Sequence, residues 1–383
     1  MTVKIGLIVN PIAGMGGRVG LKGTDGNALM FALERGAVPF SEDRAVACLK
    51  EIADSMPDNG RFTLCTGPDK MGERAAYKAG IVPHVLQATR RRERTVAEDT
   101  IALARVMFEQ NTDLILFVGG DGTARDICQA VGEHTLVLGV PAGVKMHSAV
   151  FTSSPKQAGV IASKFIETCA RAICFQEKTA EVMDIDEEAY RNGALKARLY
   201  GYLRVPHLHG RLQNLKSGSS DSDAASQSAI AHSAAEAIST HPETLYLIGA
   251  GTTTRALLEE LGVKGTLLGI DAWLGDALLA CDLGEKEILD LLGRHERAAI
   301  VITPIGGQGF IFGRGNQQFS PQVIRRVGRE NILLLAAPAK LMTLGTAPLL
   351  VDTGDPELDK ELEGYYKIVS GYGKYVMHRV ERG

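Results

Sequence analysis

Gly119-Gly120-Asp121-Gly122-Thr123 sets one carboxylate among three glycines and a hydroxyl. Glycine lets a backbone come close to an anion and take dihedrals closed to other residues. Asp113–Val118 reads as a strand and Ala124–Val131 as a helix, so the loop opens a helix. The free N–H groups and dipole of that helix favour negative charge, and phosphate is the expected occupant. A carboxylate beside phosphate is repelled unless a metal or a proton transfer justifies it. Asp121 is therefore expected to bind Mg²⁺ or to activate a hydroxyl. The plainer reading is a tight turn in which Asp121 caps the helix.

Other loops carry related chemistry. Asn10-Pro11-Ile12-Ala13-Gly14 follows the first strand and runs on through Gly16, Gly17, Arg18, Lys22 and Asp25. Arg18, Lys22, Arg125 and Lys145 are the cations embedded in glycine-rich loops, and each is either a phosphate contact or a solvated side chain. His147 shares the loop of Lys145. Asp25 reads as a second metal ligand or as the cap of a helix over Asn27–Leu33. Asp126 is expected to be a solvent-facing acid in the first turn of its helix. Gly249-Ala250-Gly251-Thr252-Thr253-Thr254 repeats the pattern of strand, glycine turn, hydroxyls and helix, and suits a second phosphate such as a substrate pyrophosphate. Gly306–Gly309 and Gly313–Asn316 are dense in glycine; either Asn316 reads a ribose or base edge there, or the segment is a bulged hairpin. His207 and His209 share a strand face at metal-pair spacing with no third ligand evident, and surface histidines are the ordinary reading. The six cysteines, Cys48, Cys65, Cys128, Cys169, Cys174 and Cys281, are scattered without a CxxC pair, as in a reducing cytoplasm.

The elements that position these residues alternate. Short β-branched runs at Ile5–Val9, Phe62–Cys65, Val82–Leu86, Leu114–Val118 and Leu136–Val140 are separated by helical stretches at Arg44–Ser55, Met71–Ala79 and Thr95–Glu109. That alternation predicts a Rossmann-like α/β domain with a mainly parallel sheet over residues 1–152, with ligands at the carboxyl ends of its strands. A second domain, 153–383, is expected to mix antiparallel strands with α/β elements. It opens with a helix over Ser154–Thr168 and longer strands at Ala180–Asp186 and Leu195–Pro206. Ser217–Ser228 reads as a surface loop before a helix at Ala229–Ser239. Buried strands are expected at Leu245–Ile248, Thr266–Ile270, Ala299–Ile302 and Ile332–Ala336. A final strand pair is expected around Tyr365–Val380, in whichever domain it joins. The chain of 383 residues has a net charge of −3, which gives nucleic acid or an anionic membrane no electrostatic hold. No apolar run approaches the roughly 20 residues that span a bilayer, and a cytoplasmic enzyme is expected.

Gly119–Thr123 resembles the signature of the superfamily of NAD kinases, diacylglycerol and sphingosine kinases, and 6-phosphofructokinases. Asn10–Gly14 resembles the Asn-Pro-x-x-Gly turn of its NAD and lipid branches. The longer runs Asn10–Gly26, Val140–Ser148 and Ile305–Gln318 are similar to ATP-NAD kinase family proteins that include the acetoin-catabolism X protein. The resemblance implies transfer of phosphate from ATP or polyphosphate, with Mg²⁺, to the 2′-hydroxyl of NAD. It implies that Asp121 takes the hydroxyl proton while Gly119, Gly120, Gly122 and Thr123 line the phosphates, and that the protein is a homo-oligomer. Two family features are missing. No Asn-Glu or Asn-Asp pair is present to hold the adenosine ribose, and Ala142-Gly143-Val144-Lys145-Met146 stands where lipid kinases carry Gly-Thr-Gly-Asn-Asp. A kinase for another small alcohol (polyol, sugar or lipid), or a nucleotide-binding regulatory protein, therefore stays open beside NAD kinase.

Overall fold

The computed structural model describes residues 2–21, 28–56, 61–88, 95–144, 146–185, 197–207, 221–266, 268–305 and 309–383. The chain forms two compact units, one of residues 1–15 and 38–215 and one of residues 16–37 and 216–383. The expected division at residue 152 thus differs from the compact units, which divide at Leu215 and assign 16–37 to the second.

In the first unit β1 (Val3–Val9), β2 (Phe62–Thr66), β3 (His84–Val85), β4 (Leu114–Gly119) and β5 (Val137–Pro141) form a parallel sheet in the order β3-β2-β1-β4-β5. The register sets Ile5 beside Leu114, Val9 beside Val118 and Gly119 beside Pro141, so the carboxyl ends of three neighbouring strands lie side by side. Of the helices in chain order, α1 (Ala28–Glu34) belongs to the other unit. Those of this unit are α2 (Ser41–Ser55), α3 (Glu73–Lys78), α4 (Ala97–Glu109), α5 (Asp121–Val131) and α6 (Pro155–Ala170).

Both sheet faces are covered, which is why β1 and β4 read as nearly unbroken apolar runs rather than alternating ones. Leu7, Val9, Leu116 and Val118 pack with Leu49 and Ile52 of α2 and Ile161 of α6. Ile8, Ile115 and Phe117 pack on the opposite face with Leu103 of α4 and Ile127 of α5. Ala45, Cys48, Leu49 and Ile52 repeat at the helical period, and all four are buried. The Ser154 hydroxyl accepts a hydrogen bond from Gln157 N at 3.1 Å and Pro155 takes the first helical position, which fixes the start of α6.

β6 (Glu177–Ile185) and β7 (Ala197–Pro206) pair antiparallel as a separate ribbon. Ala180, Val182, Leu203 and Val205 join the core beneath α4 and α5. Burial on that face places the ribbon in the first unit.

The second unit holds a mixed sheet of β8 (Leu245–Ile248), β9 (Asp271–Leu274), β10 (Ala277–Ala280), β11 (Ala298–Ile302), β12 (Phe310–Phe312), β13 (Ile332–Leu335), β14 (Leu349–Val351), β15 (Gly364–Gly371) and β16 (Lys374–Arg382). Its order is β10-β9-β8-β11-β13-β15-β16-β14-β12, with β8, β11, β13 and β15 parallel. The terminal strand pair is the antiparallel β15–β16 hairpin at the middle of this sheet.

Two expectations need correction. The strand expected at Thr266–Ile270 is not formed among its described residues, Thr266 and 268–270. The buried Asp271 carboxylate accepts from Thr266 N at 2.6 Å, Thr266 Oγ1 at 2.8 Å and Asp282 N at 3.0 Å, drawing both sides of the β9–β10 hairpin together. The helix expected from Ala229 begins at Asp221, inside the serine-rich run, where no glycine or proline interrupts it.

Arg314 and Asp352 form a buried ion pair at 3.3 Å, and the guanidinium lies 4.8 Å from the Phe310 ring centre. Removing one partner of such a pair leaves an uncompensated charge. Asp352→Ala should therefore lower unfolding free energy by about 3–5 kcal/mol in urea titration. Glu259→Ala, at the exposed pair with Arg255, should change it by about 0.5 kcal/mol or less.

Candidate active site

α5 begins at Asp121 itself, one turn earlier than expected, with Gly120 as its N-cap and no side-chain cap. The amides of Asp121, Gly122 and Thr123 precede the first bond of the helix, Ala124 N to Gly120 O at 3.0 Å. They find no acceptor among the described residues. Three adjacent N–H groups at a helix start form a cradle for an anion.

Two further loops meet this one. Ala142 N and Gly143 N both donate to Gly119 O, at 2.9 and 3.0 Å. A Cβ on Gly143 would stand 2.8 Å from Gly120 Cα, so only two glycines permit this approach. Asn10 Nδ2 donates to Thr123 Oγ1 at 2.9 Å, Asn10 N donates to Val118 O at 3.0 Å, and Asn10 Oδ1 accepts from Ile12 N at 3.3 Å. Gly14 has φ +74°, and a Cβ there would lie 1.9 Å from Ala142 O. The motifs at Asn10–Gly14, Gly119–Thr123 and Ala142–Ser148 are thus one backbone assembly at the carboxyl ends of β1, β4 and β5.

The Asp121 side chain is 7% exposed, and both carboxylate oxygens are engaged. Oδ2 accepts from His147 N at 2.7 Å and from His147 Nδ1 at 3.1 Å. Oδ1 accepts from Ser148 N at 3.0 Å and Ser148 Oγ at 2.6 Å. Ser148 Oγ in turn accepts from Met183 N at 2.9 Å, and Ala149 N donates to Glu181 O at 2.9 Å, so β6 anchors the loop. Ser148 was not among the expected site residues. Its signal was a lone hydroxyl entering an apolar run, Ala149–Phe151, inside a motif already singled out.

Asp126 is buried, contrary to the solvent-facing expectation, as are Thr123 and Ile127 on the same helix. Arg125 is partly exposed on the next position of α5 and Arg18 is exposed. Lys22, Asp25, Lys145, His209 and 306–308 lie outside the described residues. His207 follows β7, its amide bonded to Gln176 O at 2.7 Å.

In the second unit Gly249–Thr254 forms the expected turn, and the helix Thr252–Glu260 starts at Gly251, whose φ is +150°. A Cβ on Gly251 would lie 2.3 Å from Thr303 Cγ2, at the end of the neighbouring strand β11. Thr252 is exposed at the helix start, while Thr253 and Thr254 are buried. Asn316 is 1% exposed and donates from Nδ2 to Ile311 O at 2.9 Å. Its amide closes the turn between Ile311 and Phe319 and shows no edge to solvent. Gly17 runs against Gln317 of the same turn, with Gly16 buried beside it, and Phe319 packs at Gly249. Gly16, Gly17, Gly249 and Asn316 therefore group in this unit, and Asn10, Gly14 and Gly119–Thr123 in the other.

A family model for the ATP-NAD kinase N-terminal domain matches residues 5–170, and one for the ATP-NAD kinase C-terminal domain matches residues 242–380. The chain belongs to the NAD kinase family. Neither a curated protein nor a solved structure matches it. The N-terminal family domain contains the three loops that meet at Asp121, though not the β6 residues that anchor Ser148, and the C-terminal one contains the turn at Gly249. NAD kinase family membership makes the protein a phosphotransferase of the kinase type. No helix among the described residues is long and apolar enough to cross a membrane.

Gly14→Ala forces a left-handed φ and a clash into the contact with Ala142. The melting temperature should fall by several degrees in thermal unfolding, from a loss of about 1–3 kcal/mol. Thiol labelling offers a separate check. Cys174 and Cys281 are exposed, whereas burial and the nearby Glu51 push the Cys48 thiol up to about 12. Disulfide-exchange reagents should modify Cys174 and Cys281 in the native protein and reach Cys48 only after denaturation.

Proposed function

We propose that the protein transfers a phosphoryl group from ATP or polyphosphate to the 2′-hydroxyl of NAD, giving NADP. The observation that carries this reading is a buried carboxylate, Asp121, on the first residue of a helix whose leading amides have no acceptor, within an NAD kinase N-terminal domain. The amides of Asp121, Gly122 and Thr123, with the glycine backbone at 119–120, hold donor phosphate. Asn10 and Gly14 keep that loop in shape from below. The Asp121 carboxylate supplies the buried negative charge that favours removal of the acceptor's proton. Phosphoryl transfer is largely positioning and charge neutralisation, which suits a rigid backbone cradle. Lys22 and Lys145, which lie outside the described residues, are proposed by residue type as phosphate-neutralising cations, and Gly249, Gly251, Thr252 and Thr253 of the second unit as a phosphate-holding turn. Within the second unit, Gly16, Gly17 and Asn316 shape the turn at Ile311–Phe319.

The Mg²⁺ expected with the donor is a poorer fit to the described residues. Asp121 accepts hydrogen bonds on both oxygens, and no group of three or more His, Cys, Asp or Glu among the described residues could hold a metal ion. No step here passes through it.

The absent Asn-Glu or Asn-Asp pair favours a second reading, a kinase for another small alcohol, in which the donor half of the site is unchanged. The pure protein should be incubated with labelled ATP, then with labelled polyphosphate, and with NAD, NADH, polyols and a sphingoid base. Label on NAD supports the first reading; label only on another alcohol supports the second. ATP binding without any label would leave a nucleotide-binding regulatory protein. Asp121→Asn should lower turnover by about 10²–10⁴-fold with little change in ATP affinity.

A further inference from the structure

Asp121 is the residue whose type suggests a base, yet its carboxylate has little room to act as one. A carboxylate offers about four lone-pair positions. The two backbone amides, the Ser148 hydroxyl and the His147 ring are four donors upon them. An acceptor hydroxyl would have to displace one of these bonds from a group only 7% exposed.

The His147 ring is placed differently. An ionised carboxylate only accepts, so the contact of 3.1 Å requires a proton on Nδ1. In the neutral ring the lone pair then resides on Nε2, at the far edge. Nε2 has no partner among the described residues, and the side chain keeps 14% of its surface open. The loop that carries the ring is held by Ser148 to Met183 and by Gly143 to Gly119, and lies against the start of α5. A carboxylate that orients an imidazole, fixes its tautomer and stabilises its protonated form is a recurrent arrangement for activating a hydroxyl.

We propose that His147 Nε2 is the general base of the reaction and that Asp121 is its positioning residue; this rests on the kinase reading above. As the acceptor oxygen bonds to the γ-phosphorus, its proton passes to Nε2. The bond from that phosphorus to the bridging oxygen breaks, and its electron pair leaves with ADP or the shortened polyphosphate. The imidazolium keeps its Nδ1–H on Asp121 and returns the extra proton to solvent from its open edge.

His147→Asn is the informative variant, because its amide can still donate to Asp121 while nothing replaces Nε2. It should fold, with a melting temperature close to that of the wild type. Its kcat should fall about 10²–10⁴-fold with KM for ATP little changed. Added imidazole should restore part of the kcat of His147→Ala in a saturable manner. In ¹⁵N-edited spectra of the unliganded wild type, His147 should carry its proton on Nδ1 at neutral charge, and Asp121→Asn should shift that balance. Turnover of folded His147→Asn within about threefold of wild type, with Asp121→Asn inactive, would overturn the assignment and make Asp121 the direct base. A proton on Nε2 of the neutral ring would overturn it independently. A wild-type protein that labels no alcohol would instead overturn the kinase reading, and this inference with it.

Discussion

The approach of Gly120 to Gly143 is the constraint from which the site follows. A side chain on Gly143 would clash with Gly120, and one on Gly120 would press tightly on Gly143. Gly119 O can then accept from both Ala142 and Gly143, which fixes the loop after β5 against the start of α5. Only with that loop in place do the amides of His147 and Ser148 reach the Asp121 carboxylate. The bonds are charge-assisted and shielded from water, so each is stronger than a neutral surface bond. Asp121 in return ties the loop down, and the two contacts reinforce each other.

The rest of the first unit serves this meeting of loops. The parallel order β3-β2-β1-β4-β5 brings the ends of β1, β4 and β5 together, so that three motifs distant in the chain become one surface. The apolar cores on both faces hold the strands in register. The β6–β7 ribbon adds the Met183 amide that orients Ser148. Without those bonds the loop would sample many conformations, and ordering it during the reaction would cost entropy at the moment of transfer. The second unit repeats the strand–glycine–helix arrangement at Gly249–Thr254 on a mixed sheet. There Thr303 plays the part of close neighbour that Gly143 plays in the first unit.

Much of the fold was legible in the chain. The strands of the first unit are short β-branched runs between amphipathic helices, a local pattern that needs no knowledge of the partner strand. Where the pattern misled, a side chain acted over distance. Thr266–Ile270 has the composition of a buried strand, but the Asp271 carboxylate binds Thr266 and Asp282 and holds the described ends of the segment at the base of the β9–β10 hairpin. Asp126 has the polarity of a surface residue at a helix start, yet the fold buries it. The ribbon β6–β7 was recognisable as a strand pair, but its membership of the first unit depends on which core it buries.

By itself the sequence determined the chemistry available: a carboxylate among glycines at a helix start, a partner turn at Asn10–Gly14, and membership of a kinase family. These are statements about residue types at short spacing, which local physics and pattern can decide. The tertiary structure decided how that carboxylate is used. Asp121 and His147 are separated by a helix and a strand, and nothing local says that a ring nitrogen will stand 3.1 Å from Oδ2 or that Ser148 will occupy Oδ1. Hydrogen bonding is directional and short-ranged, so the roles of base and positioning residue follow only from where folding sets the two loops.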